Sequence, residues 1–293
     1  MFLRRPGPPG QAPTRLAGPS GPWTPVRDAF RDRGYVLVHA QVEDWRPVAG
    51  EARGVRRLLG HEAGRLEVIT AAGVRDRFTV SRLLVKYAAG ALLDVEPVDL
   101  ELARHPNGRP YLRGFSRFEI TLSHTGRTVA VGLSGLGPIG VDVEQPCRPA
   151  YAAGLAENVC TPGERLALDR LPARDRNAAL IRLWTLKEAY SKALGLGARL
   201  PFRSFGFTAP AGGGVAPRLL SADGRPSDTE GWRFETHTLE GGCTLSAAIG
   251  PSAFAPTGIR RAADMVDQRL MRAAVGGPSR PRPDRTETTR SET

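Results

Sequence analysis

Lysine is almost missing from this chain. Of 41 basic residues only three, Lys86, Lys187 and Lys192, are lysine, and the other 38 are arginine. Cysteine is scarce too: Cys147, Cys160 and Cys243 are odd in number and scattered, without the spacing of a zinc site. That argues against a disulfide framework and fits a reduced, cytoplasmic setting. No apolar run approaches the roughly 20 residues of a membrane span. No apolar segment follows Arg4 and Arg5 to make a secretion signal. A Gly-x-Ser-x-Gly elbow is absent, so the chain does not read as a serine hydrolase. Nor does any repeat recur at roughly 20–50-residue spacing, which excludes a solenoid.

Basic charge, glycine and proline are plentiful. The net charge is +11, with 34 Gly and 25 Pro among 293 residues. Residues 1–24 hold three arginines and no acid, and residues 255–293 hold eight arginines against five acids, so each tail contributes +3 and the body about +5. An excess lying mostly in tails weakens a nucleic-acid reading, while a moderately basic body suits an acidic partner or a polyphosphate ligand. The Pro/Gly/Arg-rich stretch 1–25 and most of the polar stretch 255–293 read as disordered, with a short helix possible at 260–273.

Between the tails, Tyr35 to Ala40 has the pattern of a strand and Val48 to Leu59 that of a helix. Residues 73–90 form an amphipathic helix that turns Phe78, Leu83, Leu84 and Tyr87 inward and stops at Gly90. A Pro-Asn-Gly turn follows at 106–108. Strands are then expected at Phe118–Leu122 and Thr128–Ser134, turning into Val141-Asp142-Val143-Glu144. These hairpin-like pieces indicate an antiparallel sheet in an α+β fold rather than alternating βαβ units. Thr161 and Glu164 have the spacing of a capping box. A long helix runs from Pro172 to Gly195 with Leu180, Leu183, Tyr190 and Leu194 toward the core. Further strands are expected at 202–207, 231–237 and 245–249.

Two patterns carry chemistry. Along Gly140-Val141-Asp142-Val143-Glu144 the side chains alternate, so both carboxylates point to one face, where they repel unless a cation lies between them. On the long helix, Glu188 and Lys192 are four apart and share a face. An isolated pair of this kind is most often a surface ion pair, yet a chain that writes arginine nearly everywhere keeps two of its three lysines within six residues. A compact ammonium there points to a site that needs a point charge. Asp142, Glu144 and Glu188 together make a hard oxygen set of the kind that holds Mg²⁺ on a pyrophosphate. Ser123 and His124, at a strand end, add a hydroxyl and a ring N–H, and Arg77 and Arg109 are candidates for phosphate contacts.

The ordered series Gly-Arg-Pro-Tyr (108–111), Leu-Ser-His-Thr (122–125), Gly-Val-Asp-Val-Glu (140–144) and Trp-Thr-Leu-Lys-Glu-Ala-Tyr-Ser-Lys (184–192) resembles the 4′-phosphopantetheinyl transferases of the larger, monomeric Sfp type. The resemblance implies two similar α+β halves, 26–135 and 136–254, forming an intramolecular pseudo-dimer with coenzyme A in the cleft between them. It implies Mg²⁺ on Asp142, Glu144 and Glu188, with Lys192 on the pyrophosphate and Glu188 as the base. It also implies Ser123, His124 and Arg77 at the 3′-phosphate end of coenzyme A, and Gly108, Arg109 and Pro110 near the adenine. Arg56, Arg57 and Arg65 are candidates for the family's early basic pair, in a segment (58–74) that departs from its pattern. The activity implied is transfer of phosphopantetheine to apo acyl, peptidyl or aryl carrier proteins. A coenzyme A-binding homologue without turnover and an Arg-rich nucleic-acid binder are the alternatives.

Overall fold

The computed structural model describes residues 11–46, 52–151, 154–208, 216–227 and 229–251. The tail 255–293 and the helix expected at 260–273 lie outside them. Strand β1 (Thr14–Arg15) leads to α1 (Trp23–Arg33) and β2 (Tyr35–Gln41). Helices α2 (Ala52–Leu59) and α3 (Ala72–Leu93) come next. The β3 (Leu102–Arg104) and β4 (Pro110–Leu112) hairpin precedes β5 (Glu119–Thr125), β6 (Thr128–Ser134) and β7 (Ile139–Glu144). Then come α4 (Pro162–Asp169), α5 (Ala173–Ala193), β8 (Phe205–Phe207), β9 (Leu219–Ser221), β10 (Arg233–Thr238) and β11 (Thr244–Ile249).

The chain is α+β. One sheet has the order β1-β2-β6-β5 and another the order β10-β11-β7, antiparallel except for the parallel β1–β2 pair. Residue alternation explains how β2 serves two layers. Val36, Val38 and Ala40 pack with Val80, Leu83, Leu84 and Ala88 of α3, while Tyr35 and Leu37 face Val141, Val143, Leu245 and Ala247 of the second sheet. Each fully buried Val or Leu side chain among these contributes roughly 1.5–3 kcal/mol. On the far side of the second sheet, α5 buries Leu180, Leu183 and Leu186 against Phe205, Phe207 and Phe234. Tyr190 sits among the rings of Phe205 (5.4 Å), Trp232 (5.0 Å) and Phe234 (5.7 Å). Among the described residues no helix is long and apolar enough to cross a membrane.

Two expectations are corrected. Residues 14–15 are strand rather than disordered extension. Leu16 is fully buried, its N–H bonds His39 O at 2.8 Å, and its carbonyl accepts from Trp45 Nε1 at 2.9 Å. Second, α3 does not stop at Gly90 but continues to Leu93 and ends on Asp94 in the left-handed region (φ 55°), whose N–H caps Gly90 O. The capping box of α4 is present, with Thr161 and Glu164 bonded reciprocally.

Candidate active site

The site forms where β5, β7 and α5 meet. Gly140 makes the meeting possible: a Cβ there would lie 1.9 Å from Ala189 O and 2.5 Å from Ala193 N, so strand and helix touch backbone to backbone. That contact sets α5 close over the face of β7 that carries Asp142 and Glu144, and it aims Glu188 and Lys192 at them. From the other side, β5 supplies two hydroxyls in matching register. Ser123 Oγ donates to Asp142 Oδ1 at 2.7 Å, and Thr125 Oγ1 donates to Glu144 Oε2 at 3.1 Å.

Lys192 Nζ donates to Asp142 Oδ1 at 2.6 Å, to Ser123 Oγ at 3.1 Å and to Val141 O at 3.1 Å. Glu144 is ion-paired with Arg148, whose guanidinium carbon lies 4.7 Å over the Trp184 ring. Burial raises the Glu188 pKa, as do the charges of Asp142 and Glu144, against the opposing pull of Lys192 and Arg148. The sequence patterns therefore place Asp142, Glu144, Glu188 and Lys192 in one constellation.

Thr125 was read only as part of the Ser-His-Thr strand end, and Arg148 was not anticipated. Thr125 follows the Ser-His pair on the same strand face as Ser123, a period-two signal that was available. Arg148 was hidden among 38 arginines.

The other candidates surround this core. A cleft of about 220 Å³ is lined by Gly108, Arg109, Pro110, Thr121, Leu122 and Lys192, and Gly195 and Gly197 close it from the end of α5. Arg109 turns its guanidinium into the fold, onto Glu119 at 2.9 Å, so that it faces a carboxylate of the protein itself. His124 is exposed, and its pKa is lowered by partial desolvation and by Arg77 and Lys192. Arg77 also reaches Gly126 O at 3.4 Å.

Lys187 belongs elsewhere, which corrects the inference from paired lysines. It is fully buried on the opposite side of α5, bonded to Glu164 Oε2 at 2.6 Å and to the carbonyls of Val159, Phe202 and Phe205 at 2.8 Å. Arg65, a candidate for the early basic pair, lies 3.6 Å from Glu62, and Arg56 pairs with Glu67 at 3.1 Å.

As the side chains stand, no group of three or more His, Cys, Asp or Glu among the described residues is gathered tightly enough to hold a metal ion. Lys192 and Arg148 take up part of Asp142 and Glu144. The donor set nevertheless fits a hard cation. It is all oxygen, Asp142 Oδ2 is buried without a hydrogen-bond partner, and three carboxylates face only two cations.

Residues 138–241 match the family model described as the 4′-phosphopantetheinyl transferase superfamily. The matched stretch covers about a third of the chain. It contains β7, α5 and all four residues of the constellation. A 4′-phosphopantetheinyl transferase of Bacillus subtilis is 26% identical over 129 residues, 44% of this chain and 56% of the relative. HetI, a 4′-phosphopantetheinyl transferase of Nostoc sp., is 31% identical over 126 residues, 42% of this chain and 53% of the relative. A phosphopantetheinyl transferase of Thraustochytrium sp. is 29% identical over 188 residues, 60% of this chain and 64% of the relative. The matches thus span between 53% and 64% of these superfamily members' own lengths.

Proposed function

We propose that this chain transfers the 4′-phosphopantetheine group of coenzyme A to a serine hydroxyl of an apo carrier protein, releasing 3′,5′-ADP. The observation that carries this reading is the convergence of Asp142, Glu144 and Glu188 on Lys192, which also lines the cleft with Gly108, Arg109 and Pro110. The superfamily match over 138–241 supports it. In this reading the two sheet-and-helix bodies, 26–135 and 136–254, are halves of an intramolecular pseudo-dimer, and the protein acts as a monomer in the cytoplasm.

Coenzyme A would lie along the cleft, with the Gly108–Pro110 turn at its adenine end and Ser123, His124 and Arg77 toward its 3′-phosphate. Asp142, Glu144 and Glu188 would hold Mg²⁺, which supplies charge neutralisation of the pyrophosphate. Lys192, placed by Ser123 and Val141 O, puts a fixed positive charge where the 5′-phosphate of the departing 3′,5′-ADP gathers negative charge. Glu188 takes the proton of the attacking serine. The hydroxyls of Ser123 and Thr125 keep the two β7 carboxylates aimed while this happens.

The test is the intact mass of an apo carrier protein after incubation with this chain and coenzyme A, with Mg²⁺ or with EDTA. A gain of about 340 Da, one phosphopantetheine group, appearing only with the metal is the expected result. No gain across acyl, peptidyl and aryl carriers, with coenzyme A still bound, would replace the transferase reading with that of a silent binder.

A further inference from the structure

We propose that Arg148 is an exchangeable counter-ion: it competes with a divalent cation for Glu144, and Trp184 keeps hold of its guanidinium when it is displaced. The inference rests on the reading of Asp142, Glu144 and Glu188 as a cation-binding set, and it adds a residue that sets how tightly the cation is held.

The two cations of the site are held differently. Lys192 is fixed by three acceptors, Asp142 Oδ1, Ser123 Oγ and Val141 O, and its side chain is 29% exposed. Arg148 lies beyond the end of β7, outside any helix or strand, with its side chain 43% exposed. Its contacts with the site are the ion pair to Glu144 and the face of Trp184. Its charge also bears on Glu188. Of the two, Arg148 is the one able to leave.

Charge bookkeeping gives the reason to leave. Three carboxylates against Lys192 and Arg148 sum to −1, and adding a divalent cation with both still in place would make +1. With Arg148 withdrawn, the carboxylates, Lys192 and the divalent cation sum to zero. The indole makes withdrawal cheap, because a guanidinium already stacked on tryptophan can break its ion pair and keep its cation–π contact. Trp184 opens the Trp-Thr-Leu-Lys-Glu run, so the helix that supplies Glu188 also supplies the resting place of its competitor.

The test measures Mn²⁺ binding to the full chain by electron paramagnetic resonance, without coenzyme A or carrier. Arg148→Gln should bind Mn²⁺ about tenfold more tightly than wild type, the effect of removing one unit charge ~6 Å from a divalent ion in largely aqueous surroundings. Arg148→Lys, which keeps the charge, should stay within about twofold of wild type on the same reasoning. Titrating wild type with Mg²⁺ should shift indole emission, and Trp184→Phe should lose that shift. Equal or weaker affinity in Arg148→Gln, or no Mn²⁺ binding to either protein, overturns the proposal. Equal affinities alongside normal carrier modification would sink this inference and leave the transferase reading intact. Tighter binding in Arg148→Gln with no carrier modification would do the reverse.

Discussion

Replacing Lys187 by methionine should unfold the protein much more readily without touching the site chemistry directly. The ammonium shares its three protons among Glu164 Oε2 at 2.6 Å and three backbone carbonyls at 2.8 Å, with none of the side chain exposed. Burial lowers its pKa and Glu164 opposes that shift, so Glu164 helps to keep the lysine charged. Methionine fills the stem's volume but leaves Glu164 as a buried charge without a counter-ion. Removing one partner of a buried pair costs about 3–5 kcal/mol. Glu164 keeps the N–H groups of Thr161 and Phe207, both at 2.8 Å, which places the loss near the lower end, about 3 kcal/mol. With a urea slope of roughly 2 kcal/mol per molar, the midpoint should fall by about 1.5 M. Urea melts followed by circular dichroism measure this directly. The double variant Lys187→Met/Glu164→Gln removes the stranded charge and should recover about 1–2 kcal/mol. A single-variant loss under about 1 kcal/mol, or a double variant no more stable than the single, would refute a structural role for this lysine.

Three further outcomes follow from the site and its frame. Glu188→Gln should lower carrier modification by roughly 100-fold or more while the thermal melt stays unchanged; near-normal turnover would remove Glu188 from the chemistry. Gly140→Ala should destabilise by about 3 kcal/mol, because its Cβ meets the α5 backbone at 1.9 Å and neither element can give way cheaply. A denaturant melt within error of wild type would contradict that contact. Tyr35, bonded to Glu235, has its pKa pushed up from 10.0 to about 12 by burial and by that carboxylate. Its folded value lies above its unfolded value, so its contribution to stability is complete below pH 10 and is lost as pH rises toward 12. Phenolate absorbance should show one of the five tyrosines ionising last, and Tyr35→Phe should remove that step.

The site was legible where its geometry depends on local periodicity. Strand alternation alone puts Asp142 beside Glu144, and helix spacing alone puts Glu188 beside Lys192; their meeting needs only that α5 cover β7. The hairpins were legible for the same reason, since their pairing is set by neighbours in sequence. What escaped depends on contacts between distant residues. The β1 strand spans two residues and exists because Leu16 finds His39 and Trp45. Lys187 and Lys192, five apart, leave α5 on different faces, and composition cannot tell a caged ammonium from one in a cleft. Arg109 looked like a phosphate ligand until Glu119, ten residues on, took its guanidinium.

Ser123 and Thr125 stand on one sheet, and the carboxylates they grip stand on the other. Among the described residues no backbone ladder joins β5 to β7; besides apolar packing, side chains bridge that seam, through the two hydroxyl–carboxylate bonds and Thr121 Oγ1 accepting from Val141 N–H at 3.3 Å. The carboxylates proposed to hold the cation therefore double as rivets. A molecule seated against them would tighten a joint as well as fill a cleft, raising the melting temperature of the whole body, and a substitution at Asp142 or Glu144, unlike one at Glu188, should loosen the architecture by the same stroke.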